Sequence, residues 1–171
     1  MEPTDTTPRE PGSGPLVIDP GAVPATPWRN GAGVTRELWV SAGSAPDTPD
    51  WRLSLAELTA DAPFSPFPGL DRIFLPLAGD MSLTIGDRVV EAVAYQPIRF
   101  GGEDAVSAEV RAPGRALNLM VRRGVLLGDL RVRPSDGGSQ PSSAPASARV
   151  AALVRFDGFT VEVLLTREAA A

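Results

Sequence analysis

The stretch WRNGAGVTRE, residues 28–37, gathers an indole, a carboxamide, two guanidiniums, a hydroxyl and a carboxylate around two glycines. Three chemistries are open to such a run. A dinucleotide-binding loop needs GxGxxG between a strand and a helix. Here Gly31-Ala32-Gly33 is followed at the third position by Arg36, within a segment patterned as a strand, so the fingerprint is absent. A tight turn is the second possibility, because Asn-Gly is a strong hairpin signal and glycine tolerates positive φ. In the third, the same turn presents Trp28, Asn30, Thr35 and Glu37 to a cavity. The turn and the cavity lip both stay open on the residues alone.

Absences narrow the chemistry further. The chain has no His, no Cys and no Lys, so all sixteen of its basic residues are arginine. That removes a thiolate nucleophile, an imidazole base, a Schiff-base amine and the lysine of a phosphate-binding loop. Zinc and iron favour imidazole and thiolate ligands, so no metal and no cofactor are expected; only oxygen-ligated Mg, Ca or Mn remains as a thin possibility. Proton transfer is left to carboxylates, to the single Tyr95 and to ordered water. An enzyme built this way is a metal-independent isomerase or hydrolase of a small carboxylate, with Glu37 or Tyr95 as its titrating group.

The elements that must position these groups are predicted to be strands. A chain of 171 residues with 43% hydrophobic content is long enough to bury a core, and 17 Gly with 18 Pro are too many for a helical bundle. A net charge of −5 without a basic cluster argues against nucleic acid as partner. The N-terminal residues lack the basic and apolar regions of a signal peptide, and no apolar run reaches about 18 residues, so a soluble, cytoplasmic protein with no membrane partner is expected.

Residues 1–15 hold four prolines and little to bury and read as a disordered tail. A β domain is predicted over 16–133, a Ser/Pro/Gly linker over 134–148, and a C-terminal hairpin over 149–171 that turns at Asp157-Gly158 and returns to the sheet. Within the domain, strands are predicted at 34–40, 51–58, 73–77, 81–85, 88–92, 106–110, 115–121 and 125–132, with Ala78-Gly79-Asp80 as a turn. Residues 60–72 carry three prolines together with Phe64 and Phe67 and read as a packed loop. The 51–58 run alternates with period two, which sets Trp51, Leu53 and Leu55 on one face and Arg52 and Ser54 on the other. Asn118, Met120 and Arg122 share a face of the later strand if it runs on.

Four ordered blocks carry a family resemblance. They are Trp28-Arg29-Asn30-Gly31-x-Gly33-x-Thr35-x-Glu37, Asp50-Trp51-Arg52-x-Ser54, Pro63-Phe64-Ser65-x-Phe67-Pro68-Gly69-x-Asp71-Arg72, and Leu117-Asn118-Leu119-Met120-Val121-Arg122-Arg123, together spanning about 95 residues. In order and spacing they resemble the HutD/Ves family. The resemblance implies an all-β, cupin-like (RmlC-like jelly roll) barrel or sandwich of bicupin type, and an association with bacterial histidine utilisation. It also implies a small acidic ligand such as a formylglutamate-like compound, bound in an accessory or regulatory role. Relative to the family pattern, the last third looks like an abbreviated second module, and pairing of its strands or of a sheet edge with a second copy makes a homodimer possible.

With zero His, the metal chemistry of cupins is closed to this chain, and a cupin-like pocket must draw its polarity from arginine and amides. Arg52, Arg72 and Arg122 could grip a carboxylate bidentately, with Ser54 and Asn118 fixing its orientation and Trp28, Asn30, Thr35, Phe64 and Phe67 closing around it. The alternative is that each arginine faces solvent or pairs with Asp71, Glu37 or Glu57. Glu37 is read as the counter-ion of Arg52 in preference to a general base.

Overall fold

The computed structural model describes residues 14–43, 48–137 and 146–169. Of the expected N-terminal tail only residues 14 and 15 fall within that range, and the middle of the expected linker, 138–145, lies outside it. Twelve strands follow one another: β1 (Leu16–Ile18), β2 (Thr26–Pro27), β3 (Gly33–Val40), β4 (Trp51–Leu58), β5 (Ala62–Pro63), β6 (Leu70–Ile85), β7 (Arg88–Glu91), β8 (Ile98–Gly101), β9 (Val106–Arg122), β10 (Leu126–Pro134), β11 (Arg149–Phe156) and β12 (Phe159–Arg167). A single 3-10 turn at Pro20–Ala22 follows β1, and no α-helix occurs among the described residues. None of their helices is long and apolar enough to cross a membrane.

The strands form two open sheets. The larger runs β2-β3-β4-β9-β6-β7, with β5 also beside β9 and β8 also beside β6; the smaller runs β1-β11-β12-β10. Its spine is the antiparallel pair β6 and β9, in register from Leu70 opposite Arg122 to Ile85 opposite Val106. Each of these is one long strand where two short ones were predicted. The triplet Ala78-Gly79-Asp80 is a bulged bend rather than a chain reversal, with register shifts between Pro76 and Met81. Gly79 has φ +102, and a Cβ placed there would stand 2.4 Å from the Cα of Gly114 on β9. The glycine that looks like a turn is therefore where two kinked strands touch backbone to backbone. Strand β8 was not anticipated, because it is short and begins directly after Pro97.

Alternation explains the layers. Trp51, Leu53 and Leu55 of β4 lie on one face with Leu117, Leu119 and Val121 of β9 and Ile73, Leu75 and Leu77 of β6. Against them pack Leu130, Val132, Val154, Val161, Val163 and Leu165 of the smaller sheet. The C-terminal hairpin, expected to rejoin the same sheet, thus makes a second sheet with β10 and with β1, the latter in parallel. The two strands that follow the expected linker share a four-stranded layer with β1 and β10. The opposite face of the larger sheet has its own apolar cluster, including Leu58, Phe74, Met81, Leu83, Ile98 and Phe100. Beside that cluster the face turns polar.

Candidate functional site: an acid-free cleft on the larger sheet

Cross-strand register builds the floor of the site. Arg52 of β4 and Arg72 of β6 both lie opposite Met120 of β9, and the next row sets Ser54, Asn118 and Phe74 side by side. All of these face away from the inter-sheet core. The walls come from the β2–β3 turn, with Trp28, Arg29 and Asn30, and from the loop between β5 and β6, with Phe64, Ser65 and Phe67. Together they enclose a cleft of about 720 Å³.

Residues 28–37 are both a turn and a lip. The Gly31 N–H donates to the Trp28 carbonyl at 3.1 Å, the Ala32 N–H donates to Asn30 Oδ1 at 3.0 Å, and Gly31 takes φ +71, where glycine is at ease. On β3, Thr35 Oγ1 accepts from Trp28 Nε1 at 2.7 Å and so holds the indole over the cleft. The β5–β6 loop is tied down through the Phe67 N–H, which donates to the Gly102 carbonyl at 2.7 Å.

Arg72 is the centre of the site. Its residue is only 6% exposed, yet no Asp or Glu among the described residues pairs with it. Nη1 donates to the Ser65 carbonyl at 3.2 Å, Nη2 donates to Asn118 Oδ1 at 3.3 Å, and Nε has no partner. The rings of Phe64, Phe67 and Phe100 stand 5.2, 5.5 and 5.0 Å from its guanidinium carbon, a cation–π box that partly replaces lost water. Burial, and then the charge of Arg52, pulls its pKa down from the ordinary arginine range to about 10, so it keeps its charge at neutral pH. Arg52 lies 5.8 Å from the same Phe67 ring and is ion-paired with Glu37 on its outer side.

Of the residues predicted to form the site, Trp28, Asn30, Thr35, Arg52, Ser54, Phe64, Phe67, Arg72 and Asn118 line this one cleft. Two do not. Glu37 is half exposed and lies outside it, where it neutralises Arg52 from behind. Arg122 continues the alternation of β9 but sits past the end of the cleft: its Nε donates to Asp50 Oδ1 at 3.1 Å and its Nη2 to the carbonyl of Thr48, tying down the loop before β4. Tyr95 is also remote, packed edge-on against Phe159 at 5.3 Å. Sequence reasoning missed Arg29, Ser65, Met120 and Thr26. Arg29 sits inside the opening motif and Thr26 pairs with Thr35, so both could have been found from the hairpin register. Met120 was placed on the right face, beside Asn118, but not counted among the site residues.

Among the described residues no Asp or Glu lines the cleft, while three arginines do. Arg72 Nε is a buried donor with no partner among the described residues, and Ser54 and Asn118 add a hydroxyl and an amide beside it. No group of three or more His, Cys, Asp or Glu that could hold a metal ion occurs among the described residues. Donors and guanidiniums converging without an acid suit an oxyanion.

Two open sheets with a cleft on the outer face of the larger one define a cupin-like, all-β protein. The chain belongs to the HutD family, whose model matches residues 21–170. It is 36% identical over 89 residues to an uncharacterized 21.2 kDa protein in the hutC 3' region of Pseudomonas putida, covering 51% of this chain and 47% of that protein. Over 111 residues it is 33% identical to Protein Ves of Citrobacter koseri, covering 59% and 54%. The chain spans about half the length of these curated relatives. HutD from Pseudomonas fluorescens SBW25 superposes with a TM-score of 0.69 at 23% identity, over 89% of this chain and 98% of that one. A predicted oxalate decarboxylase from Thermotoga maritima superposes with a TM-score of 0.52 at 14% identity, over 63% and 99%. Both structures are alike in fold.

Proposed function

We propose that this protein binds a small, acidic, formylglutamate-like metabolite in the cleft without a metal, as an accessory or regulatory component of histidine utilisation. The observation that carries this reading is Arg72, a buried guanidinium with no acid beside it, in a cleft whose charged lining residues are all arginines. A buried charge is costly unless paired, and an incoming carboxylate is the missing pair. Arg52 and Arg29 add positive potential at the mouth, and Trp28, Phe64, Phe67 and Met120 offer the ligand's carbon skeleton an apolar wall. The Pseudomonas putida relative from the hutC 3' region supports the metabolic setting. Glu37 serves as the counter-ion of Arg52, and binding without turnover is the role that suits a cleft with no acid or base in its lining.

Thermal shift and calorimetry test this directly, using N-formylglutamate, formiminoglutamate, glutamate, urocanate and histidine against wild type, Arg52→Ala and Arg72→Met. At least one carboxylate should raise the melting temperature of wild type, and Arg72→Met should erase the rise. If saturating amounts of every compound leave wild type unmoved, the proposal is wrong.

A further inference from the structure

We infer that the cleft selects dianions that carry no cationic amine, so that an acidic amino acid is accepted only when its nitrogen is absent or acylated. The inference rests on the carboxylate reading above and adds to it a rule of selection. It starts from the oxygens of the lining. Asn30 Oδ1 is taken by the Ala32 N–H, Asn118 Oδ1 by Arg72, and Thr35 Oγ1 by the Trp28 indole. The hydroxyls keep a spare lone pair each, but they carry no charge. An ammonium entering beside Arg29, Arg52 and Arg72 finds like charge on several sides and no carboxylate anywhere on the wall. Its lost hydration then goes uncompensated.

The preference for two negative groups follows from the floor. Arg52 and Arg72 flank Met120 in one cross-strand row, and their guanidinium carbons stand 5.8 and 5.5 Å from the same Phe67 ring. Two cations this close repel, and one monoanion can bridge only part of that excess. Glu37 offsets Arg52 from outside the cleft, but nothing does so for Arg72. A short diacid places one carboxylate on Arg72 and Asn118 and the other toward Arg52 and Arg29. The volume of about 720 Å³ leaves room for an acyl group besides.

Calorimetry on the full chain with four probes built on one five-carbon diacid skeleton tests the rule: glutarate, N-acetylglutamate, glutamate and monomethyl glutarate. Glutarate and N-acetylglutamate should bind alike, with glutamate and the monoester each weaker by about tenfold or more. Asn30→Asp sharpens the test, since aspartate accepts the same turn bond from the Ala32 N–H and adds a carboxylate at the lip. It should shrink the preference for glutarate over glutamate by about tenfold. Glutamate binding within about threefold of glutarate overturns the amine rule and leaves carboxylate binding intact. A monoester as tight as glutarate overturns the dianion rule in the same way. An unchanged ratio in Asn30→Asp overturns charge as its source. If no probe binds wild type at millimolar concentration, the carboxylate reading falls and the rule with it.

Discussion

Two charged side chains are buried to nearly the same degree, one on each sheet, and the fold treats them in opposite ways. Glu162 of β12, 8% exposed, lies in register opposite Arg131 of β10. Arg133 Nε donates to its Oε1 at 2.5 Å, and Arg131 Nε lies 3.3 Å from its Oε2 as an ion pair without hydrogen-bond alignment. Arg72 of β6, 6% exposed, receives no carboxylate, only two oxygens, three aromatic rings and a neighbouring cation. Where a buried charge serves the architecture, adjacent strands provide its counter-charge. Where the counter-charge is missing, the protein tolerates a cost that pure packing does not explain, and the proposed ligand is what removes it.

The contrast breaks most visibly at Arg72. Arg72→Met should weaken carboxylate binding by about a hundredfold or more, because the deepest charge-assisted bonds go with it. Its ligand-free form should nonetheless melt no lower than wild type, since an unpaired buried charge is replaced by a side chain suited to the apolar box. A lower melting temperature would mean that Arg72 is structural. Glu162→Gln should behave in the reverse sense, losing about 1–3 kcal/mol of unfolding free energy by leaving two arginines without their shared acid, with ligand affinity unchanged. Denaturant titration and calorimetry on the same preparations separate the two outcomes. Arg52→Ala is intermediate: about tenfold in affinity, but less than about 1 kcal/mol in stability, because its pair with Glu37 is partly exposed.

How far this could be read in advance depends on whether a feature is local. The alternation of residues 51–58 separates the apolar face from Arg52 and Ser54 without any knowledge of the partners, and the Asn30-Gly31 turn is set by its own backbone chemistry. Nine of the eleven residues expected in the cleft line it: Thr35, Arg52, Ser54, Arg72 and Asn118 by strand parity, and Trp28, Asn30, Phe64 and Phe67 from the turn and the loop that flank the sheet. Parity does not reveal where a cleft ends, which is why Arg122 was placed wrongly. Nor does it distinguish a glycine in a turn from a glycine at a contact between long strands, so β6 and β9 were each divided in two. The C-terminal hairpin joins the smaller sheet by pairing with β10 on one side and with β1, more than 130 residues away, on the other, and the parallel pairing with β1 is encoded by no local pattern.

The smallest effect expected is also the most specific to Arg72. Burial lowers its pKa to about 10 in the folded protein, below the ordinary arginine range. A base whose folded pKa is lowered holds fewer protons folded than unfolded between those values, so unfolding takes up a proton there. Stability from this group therefore rises as pH increases from about 10 towards the ordinary arginine range, and the penalty for burying its charge is felt in full below that window. Between about pH 9 and pH 11 wild type should gain on the order of 1 kcal/mol relative to Arg72→Met, with other alkaline effects cancelling in the difference. A saturating dianion should abolish that gain by pairing the guanidinium and raising its folded pKa, whereas chloride at the same ionic strength should not. Stability curves of the two proteins that stay parallel across this range would show that the guanidinium keeps its proton through about pH 11, and the lowering of its pKa by burial would then be too small to read in this way.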